Sequence, residues 1–137
     1  LSLHDALPIY AEEKNVRVKF LGFRKDIPEL NKCADIAVLP SLREGLGLAG
    51  IEALASGVPV IGSRVQGIKD YVIDGKTGYL CSPLNADEFA DKIKLLSDVN
   101  LRRSMKNACI DKAEEFRMDI SHKQMSEIYG QLLAKKS

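Results

Sequence analysis

The stretch "PSLREGLGLAGIEALASGVPVIGS", residues 40–63, decides the fold: it sets Glu44 and Glu52 eight positions apart with Gly45, Gly47 and Gly50 between them. Before it, "DIAVLP" (35–40) is a continuous apolar run of the buried-strand type. Within it, "LAGIEALAS" reads as a helix with Leu48, Ile51 and Ala55 on one face, and Gly57 suits the left-handed position that ends a helix. The strand "VPVIGS" follows at once. A strand, a turn without side chains, a helix and a second strand make a βαβ unit, whose strands run parallel.

The same alternation continues outward. Upstream, "YAEEKN" finishes a helix, "VRVKFLG" (16–22) alternates like a strand and "KDIPELNKC" reads as a short helix. Downstream, a short helix around 68–73 and an Asp74-Gly75 turn lead to the strand "GYLCS". The fold class is α/β: a Rossmann-like parallel sheet with helices on both faces, ending in a run of helices. In that run, Asn85 and Glu88 are spaced for a capping box, with Leu84 stapled onto Phe89. A second helix covers roughly 99–116, and Ser121 with Gln124 repeats the box before a third. Met125, Ile128, Tyr129, Leu132 and Leu133 form a stripe on that last helix, which the residues alone assign to packing on the domain's own core.

Composition excludes several classes. The 137 residues suit one domain, and 45% apolar residues suffice for a buried core. Twenty basic and 19 acidic residues are mixed along the chain, so no face is set aside for nucleic acid. No apolar run approaches a membrane span. Cys33, Cys81 and Cys109 are odd in number and lack C-x-x-C spacing, which argues for reduced, semi-buried, structural thiols in a cytoplasmic protein. Residues 1–9, "LSLHDALPI", have neither a signal-peptide pattern nor a period, and Pro8 interrupts the helix that follows. They read as a non-native prefix, with residues 10–137 as the folded domain.

Gly45, Gly47 and Gly50 spell G-x-G-x-x-G between strand and helix. Two readings stand: a tight turn and nothing more, or an anion site in which free N–H groups and the helix dipole attract a phosphate. The glutamates narrow the second reading. Carboxylates beside a diphosphate would be repelled, so Glu44 and Glu52 must flank the anion and accept hydrogen bonds from hydroxyls. A compound with hydroxyls on both sides of a diphosphate is a nucleotide sugar, one acid facing the sugar and the other the ribose.

The combination of "VKFLGFRKDIPELNKCADIAVLPS", "EGLGLAGIE", "ALASGVPVIGS" and "DGKTGYL" resembles the C-terminal donor-binding domain of family 4 retaining glycosyltransferases, which have the two-domain GT-B architecture. The resemblance runs from about residue 11 to the end. It implies that Glu44 holds the donor sugar and is the catalytic-site acid, and that the segment Gly45, Leu46, Gly47 and Leu48 meets sugar and diphosphate. It further implies that Glu52 holds the ribose, that Phe23 and Arg24 lie beside the base, and that no metal or other cofactor is required. Residues 120–135 become a candidate crossover helix to an N-terminal domain. One departure is "VQGIKD" (65–70), where Gln66 replaces a family glycine and Asp70 the family's acid.

The same resemblance places the diphosphate-clamping Arg and Lys on an earlier stretch, and the acceptor site and a catalytic His in the N-terminal domain, outside these 137 residues. Alone, the chain is therefore expected to transfer no sugar. Its implied partners are a nucleotide-sugar donor and that N-terminal domain. The full protein is expected in polysaccharide or glycolipid synthesis, peripheral to the inner face of the membrane.

Rival chemistries fail on spacing. "DGKTG" (74–78) resembles the end of a P-loop, but Asp70 stands where its first glycine is required. No D-x-D pair or His cluster suggests a metal, and His4 and His122 are placed in the prefix and at a helix start. An NADP-binding Rossmann domain is the alternative that uses Arg64 for a 2′-phosphate, although Glu44 would then face a pyrophosphate. A nucleotide-binding module without catalysis is the other.

Overall fold

The computed structural model describes residues 11–134, so the proposed prefix 1–9 lies outside the described residues. Residues 11–13 are helical and end at Asn15, whose φ of 51° is the left-handed geometry asparagine tolerates at a helix C-terminus. From there the order is α1 (Ile27–Lys32), β1 (Ala37–Leu39), α2 (Leu48–Ala55), β2 (Val60–Ser63), a single 3₁₀ turn (Ile68–Asp70), β3 (Gly78–Cys81), α3 (Ala86–Leu95), α4 (Val99–Glu114) and α5 (Met118–Ala134). The three strands form one parallel sheet in the order β1-β2-β3, with Ala37 opposite Val60 and Ile61 opposite Tyr79.

All four residues of β2 are buried, and their side chains alternate between the two faces, so both faces are covered. Its neighbours do the covering: α2 and α3 pack on the sheet, and α4 packs on α2. The core holds Leu54, Val60, Ile61, Ile68, Tyr71, Leu96 and Met105, all at or near zero exposure. Gly78 is required at the start of β3. A Cβ there would sit 1.8 Å from the Val60 carbonyl oxygen, on a φ of 151°. The Asp74-Gly75 turn is held as well, because Asp74 accepts the Leu80 amide at 2.8 Å, while Thr77 Oγ1 accepts from the Ile73 amide and donates to the Tyr71 carbonyl.

Several expectations change. "VRVKFLG" is not a strand: Val16, Val18 and Phe20 are about half exposed, and no described strand lies beside them to take their backbone hydrogen bonds. On α2 the buried face is Gly50, Ile51, Ala53 and Leu54, whereas Leu48 (65% exposed) and Ala55 face out. Asn85 caps α3 by accepting from the Glu88 amide, but the Glu88 carboxylate reaches the Ser82 amide, so the box is not reciprocal. Leu84, 87% exposed, makes no staple onto buried Phe89.

Helix α5 starts at Met118, which puts Ser121 inside its first turn rather than at its cap. Its stripe stays outside the core: Met125, Ile128, Tyr129, Leu132 and Leu133 are all half or more exposed. No helix of the described residues is long and apolar enough to cross a membrane. Cys81 and Cys109 are buried, and burial pushes the Cys109 thiol up to about 11, but Cys33 is exposed rather than semi-buried.

Candidate functional site

In a parallel sheet the turns that follow the strands gather at one edge, and the glycine segment lies there, immediately beyond β1. Gly47 opens α2 in the left-handed region (φ 73°, ψ 60°), with no side chain capping the helix. Among the described residues, the amides of Leu46, Gly47, Leu48 and Ala49 make no hydrogen bond, and the first turn holds no acid. These four N–H groups and the positive end of α2 make a candidate cradle for an anion.

Glu44 stands at its entrance, half buried. Its Oε1 accepts the Gly45 amide at 3.2 Å and its Oε2 receives a long contact, 3.5 Å, from the Ser41 hydroxyl. Because its stem lies against Gly47, where a Cβ would come within 3.0 Å of Glu44 Cγ, the acid is held beside the cradle and not within it. Glu52 is one helical turn further along, exposed, and its carboxylate has no hydrogen bond or ion pair among the described residues. Glu44 thus lies on the loop side of the N–H cluster and Glu52 in the second turn of α2, and both carboxylates have acceptor positions to spare.

Sequence reasoning missed the support beneath this loop. Tyr71, fully buried, donates its hydroxyl to the Gly47 carbonyl at 3.2 Å. Burial first, then the charges of Glu44 and Asp70, push its ionisation up to about 12. The ring runs under α2 so closely that a Cβ on Gly50 would fall 2.4 Å from the hydroxyl and 2.7 Å from Leu39 Cδ1. This explains the third glycine of the motif. Behind it, the Phe116 ring meets Tyr71 edge-on, with centroids 6.1 Å apart and planes at 89°.

Gly67 supplies the second support. It has φ +87°, and a Cβ there would lie 2.4 Å from the Gly45 carbonyl oxygen. The loop after β2 thus touches the loop after β1 backbone to backbone. Its signal in the sequence is the glycine that follows Gln66 in "VQGIKD".

The remaining site candidates are not gathered here. Phe23 is 89% exposed, and Arg24 is paired with Asp26, donating Nε to Oδ1 at 2.8 Å and Nη2 to Oδ2. That pairing holds the Asp26 carboxyl below its usual range. No hydrogen bond, ion pair or ring contact among the described residues joins either side chain to the glycine loop. Arg64 is engaged elsewhere: it donates to the Leu80 carbonyl at 2.9 Å and lies 3.9 Å from Asp74. No three His, Cys, Asp or Glu side chains converge as a metal site among the described residues.

The family model described as "Glycosyl transferases group 1" matches residues 6–115, most of the chain. The chain belongs to the glycosyl transferases group 1 family. Similar curated proteins are N-acetyl-alpha-D-glucosaminyl L-malate synthase of Bacillus anthracis, 40% identical over 119 residues, and D-inositol 3-phosphate glycosyltransferase of Corynebacterium aurimucosum, 36% identical over 120. Each alignment covers 85% of this group 1 chain but only 31% and 28% of the relative.

Solved structures agree. Sucrose-phosphate synthase from Thermosynechococcus elongatus superposes with a TM-score of 0.87 at 31% identity, over 96% of this chain and 34% of that one. Anabaena HepE in complex with UDP and glucose gives 0.82 at 27% identity, over 93% and 36%. The fold is that of a GT-B glycosyltransferase C-terminal domain.

Proposed function

We propose that this group 1 domain binds the donor of a metal-independent, retaining glycosyltransferase, one that moves a sugar from a nucleoside diphosphate sugar to a hydroxyl acceptor. The carrying observation is the row of unbonded amides from Leu46 to Ala49, set between two carboxylates with acceptor positions to spare. The amides and the α2 dipole neutralise the leaving diphosphate as its charge develops, at groups already in place. Glu44 orients the sugar, Glu52 accepts from the ribose hydroxyls, and Phe23 with Arg24 borders the base once donor is bound. The UDP and glucose held by HepE support this assignment of chemistry.

Because the chain spans about a third of its relatives, the acceptor and the residues that complete catalysis belong to another part of the full protein. Its setting is polysaccharide or glycolipid assembly at the cytoplasmic face of the membrane. The occupied guanidinium of Arg64 weighs against a dinucleotide 2′-phosphate site.

Calorimetric titration of the chain with UDP, GDP, ADP and NADP tests the reading, with Glu44→Ala and Glu52→Ala alongside. Glu52→Ala removes charge-assisted bonds worth about 1.5–3 kcal/mol and weakens nucleoside diphosphate binding at least tenfold. Glu44→Ala leaves that affinity within about twofold, since it addresses only the sugar. Binding of NADP alone, or equal losses in the two variants, would overturn the assignment.

A further inference from the structure

The opposite edge of the sheet, where the strands begin, carries a second concave feature. A cleft of about 400 Å³ opens between the end of α1, the approaches to β1 and β2, and the first turns of α4. Its charged walls are Lys32, Asp35, Arg102, Arg103 and Lys106, over a floor formed by residues 57–59. Four cations against one acid is a local excess of three in a chain whose formal net charge is only +1.

The charges divide into a fixed and a free set. Arg102 is already engaged, donating through Nη1 to the Leu96 and Ser97 carbonyls at 2.6 and 3.0 Å and through Nη2 to Asp35 Oδ1 at 2.8 Å. This leaves Asp35 engaged as well. Lys32, Arg103 and Lys106 have no carboxylate partner among the described residues. Arg103 and Lys106 are three apart on α4, hence neighbours on its surface, and the Lys106 stem lies against Gly57. Like charges held side by side without a counter-ion repel, and a compact multivalent anion relieves that repulsion.

We propose that this cleft is a binding site for a phosphate-bearing anion, separate from the glycine loop. A guanidinium fork and two ammonium groups match the geometry and charge of a phosphate or diphosphate better than a single carboxylate does. The backbone contributes nothing: the Gly57 and Val58 amides are already bonded to Leu54 and Ala53, and Pro59 has no N–H. Nor does the start of α4, because Asp98 accepts the Asn100 and Leu101 amides. Recognition by exposed side chains alone counts charge and tolerates whatever the phosphate is attached to. The phosphate arrives either on a small soluble compound or on a lipid headgroup. This inference does not depend on the donor reading above.

The test is a ¹⁵N–¹H titration of the chain with inorganic pyrophosphate at low salt, together with sedimentation on phosphatidylcholine vesicles with and without phosphatidylglycerol. Pyrophosphate should move the Gly57, Val58 and Lys106 amides, and added salt should reverse the effect. The double variant R103Q/K106Q should weaken that response roughly tenfold, two exposed charges contributing modestly each, and leave any response of residues 45–49 unchanged. Lys32→Gln, on a different helix, should weaken it in the same direction, which guards against a local effect on α4. Sedimentation only with phosphatidylglycerol, lost in the double variant, identifies a lipid-borne phosphate. A pyrophosphate response without sedimentation identifies a soluble one. The proposal is overturned if neither probe engages the cleft, or if the double variant binds both probes as the unsubstituted chain does.

Discussion

Tyr71→Phe isolates the support beneath the glycine loop, and its effect on stability should change with pH. The substitution keeps the ring against Phe116 and removes only the hydroxyl that donates to the Gly47 carbonyl. That carbonyl retains a bond from the Gly50 amide at 2.9 Å, so the loss near neutral pH should be about 1 kcal/mol. In the folded chain the tyrosine ionises at about 12 instead of its ordinary 10.0. A raised value means the folded state favours the neutral phenol. Its contribution is complete below the unfolded value near 10 and drains away as pH rises towards 12, because the unfolded chain sheds a proton that the folded chain retains.

At one unit above the unfolded value the native tyrosine has forfeited about 1.4 kcal/mol, a loss phenylalanine cannot suffer. The variant should therefore be less stable by about 1 kcal/mol near pH 8 and equal or slightly more stable near pH 11. Urea denaturation followed by circular dichroism at both pH values measures this. Contributions from groups common to both proteins cancel in the difference. A gap that stays the same at both pH values would refute the burial argument, and one that widens in alkali would reverse its sign.

Gly67→Ala should cost about 1–3 kcal/mol and weaken nucleoside diphosphate binding, since its Cβ must displace the Gly45 carbonyl on a left-handed φ; calorimetry and thermal unfolding report the two effects. Among the thiols, Cys33 should react with Ellman's reagent at once, while Cys81 and Cys109 wait for unfolding, being buried and held protonated. Simultaneous reaction of all three would contradict the burial of Cys81 in β3 and of Cys109 in α4.

The parts legible in the sequence are those decided by neighbours in the chain. Gly57 ends α2 as expected, and the Asp74-Gly75 turn and the Asn85 cap need only residues a few positions away. The glycine loop between β1 and α2 was legible for the same reason. What failed depends on distant partners. The alternation of 16–22 is sound as a pattern, but a strand forms only beside another strand, and none of the described ones is there. The outward-facing stripe of α5 has the residue spacing of one helix face and carries no mark of what it packs on. Tyr71 was invisible because its role arises from Gly47, Gly50 and Phe116, up to 45 positions away in the chain, and one buried tyrosine has no periodicity.

Phe116 lies at the corner between α4 and α5, and its ring rests on the tyrosine that holds the glycine loop. The start of α5 and the glycine loop thus share one aromatic pair, and a displacement of that corner reaches the loop only if it moves the Phe116 ring against Tyr71. Were the two ends coupled in this way, thermodynamic reciprocity would require the converse by the same factor: an anion that steadied the loop would also steady the corner from which the helix projects.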